Sequence, residues 1–454
     1  MLAGLIAAFR EAPDAPRIAD PQQVAATYAA YRRQVLLASM IGYAMFYFCR
    51  KNISVALPGM SKDLGYTNQE LGILGATLYV TYGVCKFLSG LVADRASPRL
   101  FMTAGLVLSV ACCVAFGFVT SLYVLAAIWG LNGAFQSTGA PASAKVVAVW
   151  FSARERGAMT GIWNISHQAG GGLVLIVAGF LAEAWGWRGA MIGSAVIALL
   201  GGLLVARWLH DRPESHGLPP IEEHRDDRVA AEEQARDVPF GRLLVSHVLL
   251  NPRLWLVALA SAATYVARYG ALDWSPKYLV EMHGIKLGDA GVRTALLELV
   301  GIPGAILCGW LSDRLGARRA PVACCSLLLL AASIEVFSCI PPDHALLDAL
   351  LLAAMGFFTY GPQLLLAGVA PVDVSSRRVA AAAVGFTGLM SYAGATIASS
   401  VTGWLIDRGN KIDGTGWYSA FDFWALAALT GALLCVPMWR RRAGETGPAP
   451  APQR

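Results

Sequence analysis

Charged side chains are scarce. They make up 15% of the 454 residues, against about 25% in an ordinary soluble domain, while 56% of the chain is hydrophobic. That much apolar surface needs lipid as its solvent. Several catalytic and binding signatures are missing as well. No G-x-x-x-x-G-K-[ST] run is present to cradle a nucleotide phosphate, so direct hydrolysis of ATP is excluded as a driving force. No Ser/His/Asp grouping stands out. The nine cysteines, Cys112–Cys113 and Cys324–Cys325 among them, lack metal-ligand spacing and read as small buried hydrophobes. No metal, no cofactor and no enzymatic chemistry is therefore expected. A basic stripe on a soluble face is also lacking, which argues against nucleic acid as a partner. The first ten residues, MLAGLIAAFR, have neither a basic n-region nor a cleavage site and are too short to span a bilayer; they read as an interfacial helix.

What is present is a series of long apolar runs rich in Leu, Ala and Gly. Crossing the hydrocarbon layer takes roughly 20 apolar residues per helix. About twelve runs qualify, at 34–57, 70–93, 100–119, 122–147, 158–183, 188–208, 253–281, 291–312, 320–339, 345–369, 380–406 and 418–439. Closed barrels would show period-2 alternation, which these runs do not. The fold class expected is an all-α membrane protein with twelve transmembrane helices in two related six-helix bundles.

The net charge is +6, and its placement sets the topology. Basic clusters precede the first run (Arg32, Arg33) and follow the second (Arg95, Arg99), fourth (Arg154, Arg156), eighth (Arg314, Arg318, Arg319), tenth (Arg377, Arg378) and twelfth (Arg440, Arg441, Arg442). With alternating helices all of these fall on one side. Positive loops stay cytoplasmic, so both termini are expected inside an inner membrane. The divisions expected are an amino-terminal segment 1–30, a first bundle 31–208, a charged cytoplasmic linker 209–250, a second bundle 251–440 and a tail 441–454.

The halves repeat. Gly90, Asp94, Arg95 and Arg99 form G-x-x-x-D-R-x-x-x-R, and Gly309, Asp313, Arg314 and Arg318 repeat it 219 residues on. Tyr47 and Arg50 form Y-x-x-R, which recurs 218 residues on as Tyr265 and Arg268. Parallel repeats that share a site near the midplane are a known transporter plan. The D-R loops look like the signature of the major facilitator superfamily. There a helix-end Asp can face a neighbouring helix N-terminus and an Arg, as a latch; plain positive-inside anchoring is the alternative.

Charge at bilayer depth is costly and usually functional. Arg50 and Arg268 each follow a Tyr by three, so ring and guanidinium share a helix face. Two guanidiniums at matching positions suit a phosphate or carboxylate; snorkelling to headgroups is the rival. Lys86 is a third cation for the same anion, or a partner for Glu298. Lys51 is turned away from Arg50, and Lys145 suits an entrance or gate. His167, beside Gly170, Gly171 and Gly172, suits a lined pathway where a neighbouring helix comes close. Asp273 and Glu298 would repel an anion, so they are expected to pair with Lys86 or a pathway Arg until substrate binds. Glu335 is taken as a helix-end residue.

Longer blocks resemble the organophosphate:phosphate antiporters of the major facilitator superfamily: FYFCRKNISVALP, TYGVCKFLSGLVADRASPR, ARERGAMTGIWNISHQAGGG, HDRPESHGLPPIEE, YVARYGALDWSPKYL, ELVGIPGAILCGWLSDR and GFTGLMSYAGA. The resemblance runs from about residue 25 to 440. It implies exchange of a phosphate ester for inorganic phosphate by rocker-switch alternating access. It further implies that Arg50 and Arg268 bind the phosphoryl group, with His167 and Lys86 nearby and Tyr47, Tyr265 and Asn164 lining the cavity. QSTGAPASAK stands where many members carry G-W-P-P-C, which is similar to the hexose-phosphate members. APDAPRIADPQQ and AAYRRQVLL look like the branch that senses hexose phosphate. A hexose 6-phosphate is the cargo expected, with glycerol-3-phosphate or phosphoglycerate as alternatives. A sensor would add a histidine kinase as partner; otherwise the partners are the two anions and membrane lipid, and the chain is expected to act as a monomer.

Overall fold

The computed structural model describes residues 11–93, 95–225, 244–342, 344–375, 379–412 and 414–440, without the side chains of Phe87 and Leu91. The expected interfacial helix at 1–10, Asp94, most of the charged part of the linker, Arg377, Arg378, Arg441 and Arg442 lie outside the described residues. Helix is the regular structure throughout the described residues.

In order, the long elements are α1 (Pro21–Phe48), α2 (Asn52–Leu64), α3 (Asn68–Ala93), α4 (Pro98–Gly117), α5 (Leu122–Gln136), α6 (Gly139–Trp150), α7 (Ala153–Trp208), α8 (Pro252–His283), α9 (Leu287–Leu299), α10 (Gly301–Arg314), α11 (Arg319–Ser338), α12 (Ala345–Gln363), α13 (Ala380–Ile412) and α14 (Gly416–Cys435). Three of them start on a side-chain cap followed by Pro, where the missing N–H is harmless. Asp20 accepts from Gln22 N at 2.9 Å, Ser97 from Leu100 N at 3.1 Å and Asn251 from Arg253 N at 3.1 Å. The cap at Asp20 starts α1 well before the apolar run expected from residue 34.

Seven helical stretches among the described residues are long and apolar enough to cross a membrane. One of them, α7, has 56 residues. Straight, it would be about 84 Å long at 1.5 Å per residue, nearly three hydrocarbon cores of ~30 Å. It is not straight: Trp185 and Gly186 leave helical geometry, with φ +68° at Gly186. A Cβ on Gly189 would stand 2.7 Å from Leu181 O, and one on Gly193 2.8 Å from Leu181 Cδ1, so the chain doubles back. Two expected spans, 158–183 and 188–208, are thus one hairpin. Other expected spans are interrupted. The run 34–57 breaks at residues 49–51 between α1 and α2, and 122–147 breaks at Ser137 and Thr138. These breaks, and charges such as Arg268, Asp273 and Lys277 within α8, keep those stretches below the length and hydropathy of a plain span.

The chain divides into two compact units, Met1–Gly59 with Thr81–Arg236, and Met60–Val80 with Asp237–Arg454. The first half of α3 therefore groups with the second unit, which a linear division at the linker does not anticipate. In the first unit α7 packs on α1 and α4; in the second α8 packs on α13 and α14, and α11 on α14. Small residues let the backbones meet: a Cβ on Gly170 would lie 2.7 Å from Ala44 Cα, and one on Gly394 2.2 Å from Ala262 O. In the second unit Asp407 caps the start of α3, accepting from Gln69 N at 2.7 Å and Asn68 Nδ2 at 2.8 Å. Part of the linker is ordered against the first unit. Tyr28 Oη donates to Pro219 O at 2.8 Å, and its ring stacks on His224 with centroids 4.2 Å apart.

Candidate functional site

Arg50 sits at the break between α1 and α2. Ending α1 at Phe48 inside an apolar layer frees backbone carbonyls, which lipid cannot satisfy. α5 supplies the remedy. Asn132 Nδ2 donates to Cys49 O at 2.7 Å, and Gln136 Nε2 donates to Phe46 O at 3.0 Å. The Gln136 carbonyl oxygen then accepts from Arg50 Nε at 3.2 Å and Nη2 at 3.1 Å. One side chain thus holds both the broken backbone and the guanidinium. The Arg50 guanidinium carbon lies 4.8 Å from the centre of the Tyr47 ring and 4.4 Å from that of Tyr82, within cation–π range. Lys86 Nζ approaches the same Tyr82 ring at 5.9 Å. His167, on α7, is 7% exposed, and its Nδ1 contacts the Asn164 carbonyl oxygen. Its ring centre is 6.0 Å from that of Tyr47. Arg50, Tyr47, Lys86 and His167 therefore form one neighbourhood in the first unit, with Asn164 contributing through its backbone. Lys51 is fully buried.

Arg268 has a corresponding cage in the second unit. It is 1% exposed. Nη2 donates to the Tyr360 hydroxyl at 2.6 Å, Nη1 to Tyr269 at 3.4 Å, and Nη2 lies 3.2 Å from Glu298 Oε1. Tyr360 Oη in turn donates to Glu298. The rings of Tyr269 and Tyr360 lie 4.8 and 4.7 Å from the guanidinium carbon, and Tyr265 lies 5.9 Å away. Gly301 makes room: a Cβ there would fall 2.1 Å from Tyr360 Cδ2. Asp273, one turn on along α8, accepts a hydrogen bond from Tyr79. Each unit thus buries one arginine against tyrosines, a site suited to an oxyanion that can bind the guanidinium at two points.

Residues 39–399 match the sequence profile described as Major Facilitator Superfamily. The chain belongs to that superfamily. Its curated relatives match over nearly their whole length. Membrane sensor protein UhpC of Salmonella typhimurium is 36% identical over 439 residues, covering 96% of this chain and 98% of that protein. A probable hexose phosphate transport protein of Chlamydia pneumoniae is 35% identical, with 93% and 94% covered. The glycerol-3-phosphate transporter of Bacillus subtilis is 36% identical, with 88% and 92% covered. Among solved structures, a bacterial homologue of the human lysosomal transporter Spinster, in an inward-facing and unoccupied conformation, aligns with a TM-score of 0.69 at 16% identity, over 90% of this chain and 95% of that one. That likeness shows the fold. The superfamily consists of membrane transporters, not enzymes.

The superfamily's D-R loop is described in the second unit. Asp313 Oδ1 lies 2.5 Å from Arg319 Nη1, at the start of α11, and Arg319 Nε lies 3.1 Å from Asp373. Arg314 instead lies over the Trp310 ring at 4.2 Å. In the first unit Asp94 lies outside the described residues and Arg95 is exposed. Lys145 is at this end too: it donates to Ala96 O at 2.8 Å and pairs with Glu11 at 2.6 Å.

Sequence reasoning missed Gln136, Tyr82, Tyr269, Tyr360 and Lys277. Some were legible. Asn132 and Gln136 are polar at i, i+4 on an apolar helix, and Tyr79, Tyr82 and Lys86 form a stripe. Tyr269 extends the Tyr265–Arg268 face by one residue. Lys277, fully buried and paired with Glu281 on the same helix, follows Pro276 in α8. Nothing in the sequence marks Tyr360.

Proposed function

We propose that the chain exchanges a hexose 6-phosphate for inorganic phosphate by rocker-switch alternating access in the inner membrane, with both termini cytoplasmic. Arg50 and Arg268 are the phosphoryl-binding residues, Lys86 and His167 assist in the first unit, and Tyr47, Tyr265 and Asn164 line the path. The observation that carries this reading is the matched pair of buried guanidiniums, each 1% exposed and each walled by tyrosines. The relatives named for hexose phosphate and glycerol-3-phosphate supply the substrate class.

Burying charge is costly unless it is well compensated, and Arg50 is held by the neutral amide of Gln136, so a carrier without a bound anion resists closing. A bound dianion lifts that cost, which makes transport an obligatory exchange. Glu298 holds Arg268 until the phosphoryl group displaces it. Asp313, Arg319 and Asp373 serve as a gating latch in the second unit, and Asp94, Arg95, Arg314 and Lys145 are assigned to gating as well. The test is counterflow of labelled phosphate in reconstituted vesicles, with a panel of phosphate esters as competitors. Counterflow should vanish in Arg50→Ala and in Arg268→Ala, and glucose 6-phosphate should compete best. Robust exchange in either variant removes the assigned roles.

A second reading is favoured by the 36% identity to UhpC along 98% of its length: the chain senses external hexose phosphate and signals to a histidine kinase. It predicts ligand binding with little counterflow, and loss of a kinase-dependent response on deletion.

A further inference from the structure

In the second unit, α11 and α14 leave a groove of about 530 Å³ between them. α11 contributes Leu328, Ala331, Ala332 and Glu335, spaced as one helical stripe. α14 contributes Asp422, Ala425 and Leu429 with the same spacing. The helices run antiparallel here. Phe337 packs on Phe421, with centroids 5.7 Å apart, while a Cβ on Gly431 would lie 3.2 Å from Leu327 Cδ1. Glu335 closes one stripe and Asp422 opens the other, so both carboxylates stand at the same end of the groove. From there an alanine-floored apolar channel runs about 10 Å along the helices, at 1.5 Å per residue over seven residues.

The acidic end lies near the ends of the two helices. Glu335 is three residues from the end of α11, and Asp422 is in the second turn of α14. Both side chains are exposed, and both line the same groove. This end is opposite the basic loop that carries Arg314 and Arg319. Topology does not call for it, since Asp and Glu contribute little to orientation.

We propose that the groove binds a phospholipid whose headgroup carries a primary ammonium, of the phosphatidylethanolamine class. The ammonium sits between Glu335 and Asp422, donating hydrogen bonds to both. One acyl chain lies along Ala331, Ala332 and Ala425. A quaternary choline headgroup carries the same charge but has no N–H to donate, so the site discriminates between the two. The proposal is independent of the phosphate-exchange reading.

The experiment is native mass spectrometry of the purified full chain, mixed with equal amounts of phosphatidylethanolamine and phosphatidylcholine of identical acyl chains. The wild type should retain the ethanolamine lipid in preference by about fivefold, the factor expected for one net hydrogen bond. The preference should fall in Glu335→Gln/Asp422→Asn, whose amide oxygens accept more weakly than carboxylates. Ala425→Trp, which fills the channel and keeps both carboxylates, should lose the bound lipid itself. Melting temperature and gel-filtration profile identify any variant that has not folded; either variant alone is enough for the test. Equal retention of the two lipids by the wild type overturns the proposal, as does an undiminished preference in the double variant. So does uptake of magnesium at the acidic pair with no lipid retained.

Discussion

Glu298→Gln separates a switching carboxylate from a structural one. Arg268 and Glu298 are 1% and 0% exposed and 3.2 Å apart. Removing one partner of a buried pair costs about 3–5 kcal/mol, because the other charge is left uncompensated. Glutamine keeps the shape and can still accept from Tyr360, so the expected loss in the ligand-free protein is at the lower end, about 3 kcal/mol. A phosphate arriving at the variant no longer has to displace the Glu298 carboxylate. Recovering about 1.4 kcal/mol of that cost would tighten phosphate binding tenfold. The assay is thermal unfolding of the purified protein with and without phosphate. At a phosphate concentration equal to the wild-type Kd, ligand stabilises the wild type by about 0.4 kcal/mol and a tenfold tighter variant by about 1.4 kcal/mol. Counterflow should slow, because release no longer returns Arg268 to the Glu298 carboxylate. A variant as stable as the wild type without ligand, and no more responsive to phosphate, would refute the displacement of Glu298 by substrate.

Gln136→Leu removes both the acceptor for Arg50 and the donor to Phe46 O, so melting should show a loss of about 1–3 kcal/mol together with reduced phosphate counterflow. Gly301→Ala places a Cβ against the Tyr360 ring, and overpacking of this kind costs about 1–3 kcal/mol; counterflow should fall while helix content by circular dichroism is kept. Burial, with His216 and Arg99 close by, pushes His210 down from 6.5 to about 4. The unfolded chain therefore binds more protons between those values, so stability falls as pH drops from about 6.5 towards 4. His210→Gln should flatten that part of the melting-temperature profile.

The Y-x-x-R repeat was legible because two independent motifs recur at almost the same offset, and Gly170 was legible as a close approach because three glycines flank a histidine. The cages around the two arginines were not. Gln136 and Tyr360 come from helices about 90 residues from the arginines they hold, and no local pattern reports a contact at that separation. FYFCRKNISVALP is apolar on both sides of residues 49–51, so the sequence alone predicts continuous helix there. The α5 amides that donate to Cys49 O and Phe46 O help to make the break there tolerable.

By itself the sequence determined solvent, helix class and the candidate charges, because the cost of burying polar groups in lipid is written in composition and spacing. Tertiary structure decided which carboxylate neutralises Arg268, which amide holds Arg50, where α7 turns back and with which unit the first half of α3 groups. Those depend on side chains meeting across helices distant in sequence, and such meetings exist only once the bundles have packed.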